Sequence, residues 1–466
     1  MDMSEFPFQL KIRCTPSNVE SVQCTALIRT VPGRRRIYDS VWNEKNVIVK
    51  VFSHEISSGI HLKREWRGLR NLQKRGLSSP EPLFYGRTED DQWAIVIEKI
   101  LDSSTVLDSL DGLSEQSDRL NLLTQVCREL ARQHSKGVLQ KDLHLGNFLL
   151  ADNKVYALDP GQMRFFYGEL IKSESISQVA LLLSGLPNLD EQNIRVLCEE
   201  YFNERGWKFE KSDEAILHKQ IIIQTKKAIK RALKKSLRTS KRFTRIKTGK
   251  HTAVFDKDFC PHDNPTDLLE QIDSLMDSGQ ILKEGNTCYV SRFTWNEKDV
   301  VVKRYNNKGF FHSLRHTIKG SRARRSWLNA YRLGLLEIST PKPLAYIESY
   351  NGKLIHQSYI VTEYVQGRAF YYFIEDKDIS KQELSEIIRQ VIALLDELGK
   401  HKISHGDLKN SNILITESGP VITDLDAMKV HIFNQAYKAR REKDLSRLIN
   451  GKSGRSKVVD LTEIIK

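Results

Sequence analysis

Two stretches of the sequence carry the same acidic and amide side chains at the same spacing. In each, an aspartate is followed five residues later by an asparagine and seventeen residues later by a second aspartate. These residues are Asp142, Asn147 and Asp159 in the first stretch and Asp407, Asn412 and Asp424 in the second. The first aspartate can accept the proton of an attacking hydroxyl, and the other two residues offer the oxygen ligands that Mg²⁺ prefers. The pattern predicts phosphoryl transfer from ATP to a hydroxyl group at two sites.

A lysine that ends a run of β-branched residues precedes each stretch. Lys50 and Lys303 are predicted to neutralise the α- and β-phosphates of the nucleotide. Glu65, on the helix expected after the first lysine, is predicted to hold Lys50 through an ion pair. Ser326 stands at the matching position of the second stretch, so we expect Lys303 to lack that partner, with Asn329 offering a weaker hydrogen bond.

Lys409, Glu98 and Glu363 are also predicted to lie at these sites. Lys409 follows Asp407 by two residues, where an ammonium can stabilise charge on the transferring phosphoryl group. The first stretch has His144 at that place, which is mostly neutral at pH 7. Glu98 and Glu363 each occur in a predicted strand, at the place expected for the hinge of a nucleotide-binding cleft. We therefore predict that both glutamates contribute to cofactor binding.

The elements that must position these residues are themselves repeated in the sequence. The nine residues WNEKNVIVK at 42–50 return as WNEKDVVVK at 295–303, with seven identities. KREW at 63–66 is echoed by RRSW at 324–327, and a Pro-x-Pro follows each of them. Because the order and spacing of the motifs repeat, the chain is predicted to contain two copies of one domain.

We place the first domain at 1–235 and the second at 240–466, with a basic connecting segment at 226–250. Short β-branched runs precede amphipathic helices in each copy, which predicts an α+β fold with a strand-rich N-lobe and a helical C-lobe. The helices are predicted at 63–75, 120–134 and 384–398, and strands at 94–100 and 359–365. Two tandem protein-kinase-like domains are therefore expected.

Composition narrows the class of protein further. The 466 residues are 39% hydrophobic and 28% charged, which excludes a disordered or fibrous chain. Six cysteines occur without a CxxC pair, which argues against a zinc site or a disulfide framework. No apolar stretch approaches the roughly 20 residues needed to cross a bilayer, so a cytoplasmic location is expected. The net charge of +14 favours an anionic partner.

The motifs resemble those of the lipopolysaccharide core sugar kinases, which are similar to small eukaryotic-type kinases. His405 to Asn412, followed by Asp424 to Met428, looks like the heptose kinase and InaA-like form. Lys141 to Asn147, followed by Asp159 to Gly161, is similar to a sister branch of this family, whose members phosphorylate heptose or Kdo hydroxyls. The resemblance implies ATP, Mg²⁺ and a lipid-linked core oligosaccharide acceptor. It also implies a peripheral location on the inner face of the inner membrane of a Gram-negative bacterium.

Several alternatives stay open at this point. Neither copy has a GxGxxG loop, and Gln140 replaces the histidine that normally precedes the proton acceptor, so one copy can be a pseudokinase. A non-catalytic nucleotide-binding scaffold and another small-molecule phosphotransferase, such as one acting on an antibiotic, are the other hypotheses. A protein kinase is disfavoured because no Ala-Pro-Glu follows either metal aspartate.

The basic segment 226–250 contains twelve Lys or Arg and no acidic residue. It is interpreted either as a solvated face that closes the first domain or as a surface that binds anionic membrane lipid or phosphorylated sugar. No nucleic-acid partner is expected, because the sequence contains no recognised binding module.

Overall fold

The computed structural model describes residues 6–31, 33–53, 57–186, 189–260, 265–307, 309–376 and 378–449. The chain divides into two compact units, Met1–Lys227 and Ala228–Lys466, called the first and second units below. This boundary lies eight residues before the end predicted for the first domain, inside a long helix.

The first unit begins with a closed barrel of antiparallel strands in the order β1-β2-β3-β4-β6-β5. Alternate residues of these strands, among them Ile12, Val22, Tyr38, Val47 and Val49, fill the interior. The strands are β1 (Phe8–Thr15), β2 (Asn18–Val31), β3 (Arg35–Trp42), β4 (Lys45–Phe52), β5 (Pro82–Thr88) and β6 (Trp93–Glu98). The barrel corresponds to the strand-rich lobe expected from the sequence.

Helix α1 (Ser58–Lys74) packs on the outside of this barrel. Strand residues alternate between faces, so Val49 and Val51 of β4 point inward. Lys50 lies on the opposite face, which is the face that α1 covers through Leu62 and Leu69. The period of two in β4 therefore brings the lysine to the helix that carries the glutamate.

The remainder of the first unit is mainly helical, and its core packs around α3. Its helices are α2 (Val106–Asp111), α3 (Gln116–Ser135), α4 (Lys172–Leu183), α5 (Glu191–Glu204) and α6 (Lys211–Lys235), the last of which continues past the unit boundary. Its short strands are β7 (Ser104–Thr105), β8 (Val138–Gln140), β9 (Phe148–Ala151), β10 (Lys154–Ala157) and β11 (Met163–Phe165). Two 3-10 turns, Leu145–Asn147 and Pro160–Gln162, carry or follow the predicted site residues.

The second unit begins with an antiparallel seven-stranded sheet in the order β12-β13-β17-β18-β16-β15-β14. Its strands are β12 (Phe243–Lys247), β13 (His251–Asp256), β14 (Gln280–Lys283), β15 (Cys288–Trp295), β16 (Lys298–Tyr305), β17 (Pro343–Asn351) and β18 (Leu354–Glu363). Helix α7 (Pro265–Ser278) packs with one apolar cluster of the sheet, and helix α9 (Arg322–Leu335) packs with another around Trp327. Val300 and Val302 belong to the first cluster, and Lys303 lies on the other face of β16.

The helical part of the second unit packs around α11 (Lys381–Lys400). The other helices are α8 (Phe310–Lys319), α10 (Phe370–Glu375) and α12 (Asn434–Ile449). The short strands are β19 (Arg368–Ala369), β20 (Ile403–Ser404), β21 (Ile413–Thr416), β22 (Gly419–Ile422) and β23 (Lys429–Val430), with 3-10 turns at Asn410–Asn412 and Leu425–Ala427. From the strand before the lysine to the helix after the second aspartate, the two units share one element order apart from α8.

The basic segment 226–250 forms the end of α6, strand β12 and the turn that leads to β13. Leu233 is buried and Leu237 is packed in the apolar cluster around Trp327. The indole nitrogen of Trp327 donates a hydrogen bond to the Ser236 carbonyl at 3.0 Å. Much of the segment is thus built into the second unit, because its apolar residues complete that unit's core. In the part of the chain that the structure describes, we find no helix with the length and apolar character of a bilayer-spanning segment.

Candidate active sites

The predicted proton acceptor of the first unit lies on a loop between β8 and the first 3-10 turn. Strand β8 pairs with β11, which places Gln140 opposite Met163. The Asp142 side chain is 67% exposed, so an incoming hydroxyl can reach its carboxylate. Asn147 donates from its amide nitrogen to the Asp142 carbonyl at 2.7 Å, which ties the two ends of the loop together.

The same loop in the second unit is held by more contacts. The Asn412 amide nitrogen donates to the Asp407 carbonyl at 2.9 Å, and Lys409 forms an ion pair with the Asp407 carboxylate at 3.0 Å. His405 is buried and donates from Nε2 to the Thr423 carbonyl at 2.9 Å. The structure therefore brings Asp407, Lys409 and Asn412 together in one loop.

Asp444 on α12 supports that loop from behind, and the sequence analysis missed it. Its side chain is buried, and both carboxylate oxygens accept hydrogen bonds from the Gly406 backbone nitrogen at 3.0 Å. Its position next to Leu445 and one helical turn before Leu448 was the signal in the sequence, because that spacing places a carboxylate on the apolar face of a helix, where a carboxylate usually has a partner. Asp444 thereby fixes the backbone that precedes Asp407.

The first unit supports its loop with a different set of buried polar side chains. Gln140 donates to Gln133 at 2.7 Å, and Gln133 donates to Glu129 at 3.0 Å. Burial raises the pKa of Glu129 to about 7. In place of His405 of the second unit, the first unit thus has Gln140, which begins a chain of side-chain hydrogen bonds through Gln133 to the carboxyl group of Glu129.

The second aspartate of each site has the same unusual backbone conformation. Asp159 has φ of 51° and Asp424 has φ of 61°, both in the left-handed region that residues with a side chain seldom adopt. A backbone hydrogen bond of 2.9 Å joins the residue before each aspartate to the carbonyl of the site asparagine, Leu158 to Asn147 and Thr423 to Asn412. Each aspartate is therefore held close to its asparagine by main-chain contacts.

In the first unit, Lys50 and Glu65 form an ion pair. Glu65 is only 2% exposed, and its second carboxylate oxygen lies 3.4 Å from the guanidinium of Arg35. Two cations therefore share one buried carboxylate at the end of the β2–β3 turn. Arg35 was missed from the sequence, where the triplet Arg34 to Arg36 beside Gly33 was the only signal.

The second unit arranges its lysine differently. Lys303 forms an ion pair with Asp424. Burial opposes ionisation of Asp424, but the Lys303 ammonium outweighs this effect, and the pKa of Asp424 lies below its ordinary value. Ser326, at the position of Glu65, is buried and hydrogen-bonded to the Tyr305 hydroxyl at 3.0 Å.

The expectation that Asn329 assists Lys303 is wrong. Its amide nitrogen donates to the carbonyls of Leu425 and Met428 at 2.8 and 3.2 Å. Asn329 therefore holds α9 against the turn that follows Asp424. In the first unit the same helix position is Gly68, and a Cβ there would lie 2.6 Å from the Pro160 carbonyl oxygen, so α1 approaches the corresponding turn directly.

Glu98 and Glu363 end strands β6 and β18. Their backbone nitrogens donate to the carbonyls of Glu81 and Lys342, at 2.8 and 2.9 Å. Both side chains are exposed. The structure therefore leaves these residues at the strand end where the chain passes to the helical part of each unit.

The side chains at each site fit Mg²⁺ and a nucleoside triphosphate. The amide nitrogens of Asn147 and Asn412 are used by aspartate carbonyls, which leaves each amide oxygen available as a ligand. Together with the carboxylates of Asp159 and Asp424, each site offers two side chains with oxygen ligands, and Mg²⁺ commonly takes few protein ligands and fills its shell with phosphates and water. When bound, the ion would neutralise charge on the phosphates.

Comparison with known proteins defines the class of fold. The profile of the protein kinase domain family matches residues 334–445, from α9 into α12. This range includes Asp407, Asn412, Asp424 and Asp444 and excludes Lys303. The second unit thus has a protein-kinase-like fold. That the first unit is a second kinase domain stays a prediction, since the match does not reach it.

Two of the three relatives described below are named serine/threonine-protein kinases. The chain is 35% identical over 80 residues to a probable serine/threonine-protein kinase PknB of Lactococcus lactis, covering 17% of this chain and 13% of the relative. It is 38% identical over 56 residues to the serine/threonine-protein kinase TIO of Arabidopsis thaliana, covering 12% and 4%. It is 28% identical over 101 residues to the EKC/KEOPS complex subunit BUD32 of Debaryomyces hansenii, covering 20% and 38%. The chain thus spans a minor part of each of these relatives.

Proposed function

We propose that this protein is an ATP- and Mg²⁺-dependent phosphotransferase that acts on a sugar hydroxyl, heptose or Kdo, of lipopolysaccharide core. The observation that carries the phosphotransfer is the loop of the second unit, where the partly exposed Asp407 lies beside Lys409 and is tied to Asn412. Asp407 accepts the proton of the acceptor hydroxyl, and Lys409 stabilises charge on the phosphoryl group. With nucleotide bound, Lys303 would exchange its contact with Asp424 for the phosphates, and Asp424 and Asn412 would hold Mg²⁺.

The short segment after each second aspartate supports a non-peptide acceptor. Nine residues separate Asp424 from the start of α12 at Asn434, and twelve separate Asp159 from the start of α4 at Lys172. Protein kinases use an activation loop that ends in Ala-Pro-Glu in this region. Because the segment is short and lacks that motif, it offers little surface for an extended peptide. We choose a sugar as the acceptor because the motifs resemble those of the core sugar kinases.

Both units are proposed to be active. Each has a lysine on the strand before the helix, a loop aspartate and asparagine, and a left-handed second aspartate. A scaffold that only binds nucleotide would not need the loop aspartate. The competing proposal is one active unit and one pseudokinase. The first unit is then the candidate for the inactive one, because Gln140, hydrogen-bonded to Gln133, replaces the histidine before the proton acceptor.

A protein hydroxyl is the second candidate acceptor, because two of the relatives are named serine/threonine kinases. The proposed location is the inner face of the inner membrane, where lipid-linked core oligosaccharide is available. The basic segment 226–250 is proposed to contact anionic lipid there, since it carries twelve Lys or Arg and no acid.

The test compares the core of lipopolysaccharide by mass spectrometry in cells that carry the wild type, Asp142→Ala, Asp407→Ala or both changes. Each single variant should lose one phosphate and the double variant two, because removal of a proton acceptor slows transfer by roughly 10²–10⁴-fold. Asp90→Ala, at an exposed aspartate between β5 and β6, is the matched control and should keep the full pattern.

The purified full chain is then incubated with ATP, Mg²⁺ and either core oligosaccharide, a serine-containing peptide or an aminoglycoside. Phosphate transfer to the oligosaccharide alone supports the proposal. Transfer to the peptide or the aminoglycoside would replace it with a protein kinase or an antibiotic phosphotransferase. A full core phosphate pattern in both single variants would contradict the two-site proposal.

A further inference from the structure

Helix α8 is the element that the second unit adds to the shared order, and it exposes an unusual number of apolar side chains. Phe311 is 84% exposed, Ile318 74% and Phe310 64%, and Leu314 is exposed as well. At about 100° per residue these four positions fall within an arc of about 100°. A helix of ten residues therefore presents a continuous apolar face to solvent.

The flank of α8 next to Phe310 is fixed to the sheet. Ser313 is buried, and the Thr317 hydroxyl oxygen accepts a hydrogen bond from the Ile355 backbone nitrogen of β18 at 2.9 Å. The Thr317 hydroxyl in turn donates to the Ser313 carbonyl at 2.8 Å. Because these contacts seat one side of the helix, its aromatic side is held outward in a defined orientation.

Basic residues border this apolar face. Arg315 and Lys319 are exposed on α8 and fall about 40° and 80° beyond Phe311 around the helix. In the sequence from 300 to 336, nine residues are Lys or Arg and none is Asp or Glu. A protein partner that buries an apolar face usually meets a mixed polar rim. An apolar face whose exposed flank carries basic residues fits an anionic lipid surface.

We propose that α8 is an interfacial helix that inserts Phe310, Phe311, Leu314 and Ile318 into the headgroup region of an anionic bilayer. Arg315 and Lys319 contact the lipid phosphates. Aromatic and aliphatic side chains supply the burial, and the basic residues contribute about 1 kcal/mol each near an acidic surface. This inference extends the membrane partner in the proposed function, but lipid binding requires neither ATP nor the sugar acceptor.

Docking through α8 would place the second-unit site near the lipid-linked acceptor. Only Gly320 and Ser321 separate α8 from α9. Arg322, the first residue of α9, forms an ion pair with Asp426, two residues beyond Asp424. Lipid binding and phosphoryl transfer are therefore expected at neighbouring parts of this unit.

The test is co-sedimentation of the full chain with phosphatidylcholine vesicles that contain or lack phosphatidylglycerol. We expect binding to the anionic vesicles, and at least about tenfold weaker partitioning for a variant in which three apolar residues of α8 become serine. These changes are Phe310→Ser, Phe311→Ser and Ile318→Ser. The matched control changes three exposed isoleucine or leucine residues on helices of the first unit, Ile60→Ser, Leu107→Ser and Ile222→Ser, and should bind as the wild type does.

Two further measurements distinguish the outcomes. An Arg315→Gln and Lys319→Gln variant should bind anionic vesicles more weakly than the wild type at low salt and show a smaller difference between low and high salt, because exposed charges are screened within about 10 Å. Tryptophan introduced as Phe311→Trp should be quenched by brominated lipids above the level of the parent chain. Equal vesicle binding by the α8 variant and its control, or no added quenching, would overturn the proposal.

A second copy of this chain is the competing occupant of the face. Concentration-dependent dimers in the wild type that are lost in the α8 variant, with vesicle binding unchanged, would assign the face to self-association. The Asp407→Ala chain should bind vesicles as the wild type does. A chain that phosphorylates core sugar but ignores vesicles would refute only the role of α8, whereas vesicle binding without phosphotransfer would refute only the proposed reaction.

Discussion

Neutralising Glu65 while keeping its shape should impair the first site, and the matching change at Ser326 should leave the second site intact. Glu65 is 2% exposed and holds both Lys50 and Arg35. Glu65→Gln removes the charge that keeps these cations together, so Lys50 is no longer positioned for the phosphates. A misplacement of about 1 Å can reduce the rate about 10²-fold, which corresponds to about 2.7 kcal/mol in the barrier.

Ser326→Ala acts on a different contact. It removes the hydrogen bond between Ser326 and the buried Tyr305 hydroxyl and should lower the free energy of unfolding by about 1–3 kcal/mol. Lys303 pairs with Asp424 and Ser326 pairs with Tyr305, so the change does not remove a partner of the lysine, and we expect the rate of the second site to stay within about twofold of its parent. The two variants thus separate a loss of positioning from a loss of stability.

Each site is assayed in the full chain with the other site silenced. Glu65→Gln is measured in an Asp407→Ala background and Ser326→Ala in an Asp142→Ala background, by single-turnover transfer of the γ-phosphate to core oligosaccharide. Saturating ATP should not restore the rate of Glu65→Gln, because positioning rather than affinity is lost. A Glu65→Gln rate within about threefold of its parent, or a large loss in Ser326→Ala, would refute this assignment of the lysine partners.

Two other perturbations address the support of the first site. Burial raises the pKa of Glu129 from 4.5 to about 7. Below about pH 4.5 the group is protonated in both the folded and the unfolded chain, so it does not reduce the free energy of unfolding. As the pH rises from there through 7, the unfolded chain releases this proton more readily than the folded chain, and the free energy of unfolding falls. Glu129→Gln should therefore unfold in urea like the wild type at pH 4 but be more stable by about 3 kcal/mol at pH 8, and parallel pH curves would contradict this. Gly68→Ala would place a Cβ 2.6 Å from the Pro160 carbonyl oxygen and should slow the first site at least about tenfold, whereas Gly112→Ala, whose Cβ has 3.6 Å of clearance, should not. Equal rates for the two glycine variants would show that the close approach of α1 is not required.

Local periodicity was sufficient to predict most of the elements that carry the sites. The helix predicted at 120–134 is Gln116–Ser135, and the helix predicted at 384–398 is Lys381–Lys400. The strand predicted at 94–100 is Trp93–Glu98. These predictions succeeded because helix and strand periods are properties of neighbouring residues. The ends differ by a few residues, since capping and pairing partners decide where an element stops.

The sequence by itself determined which side chains could do phosphoryl transfer, because residue type and spacing within one loop set the separation of Asp407 and Asn412. It also indicated the pairing of Lys50 with Glu65 through the order of strand and helix. The partner of Lys303 was decided only by the tertiary structure, which brings it to Asp424 across 121 positions of the chain.

The supports behind the sites also came from the tertiary structure alone. Asp444 reaches Gly406 across 38 positions, and Arg35 reaches Glu65 across 30. The outward face of α8 depends on which side of the helix the sheet covers. Such contacts join segments that are distant in sequence, and the packing of whole elements selects them. Residue spacing along the chain does not specify which of several possible partners a buried charge will meet.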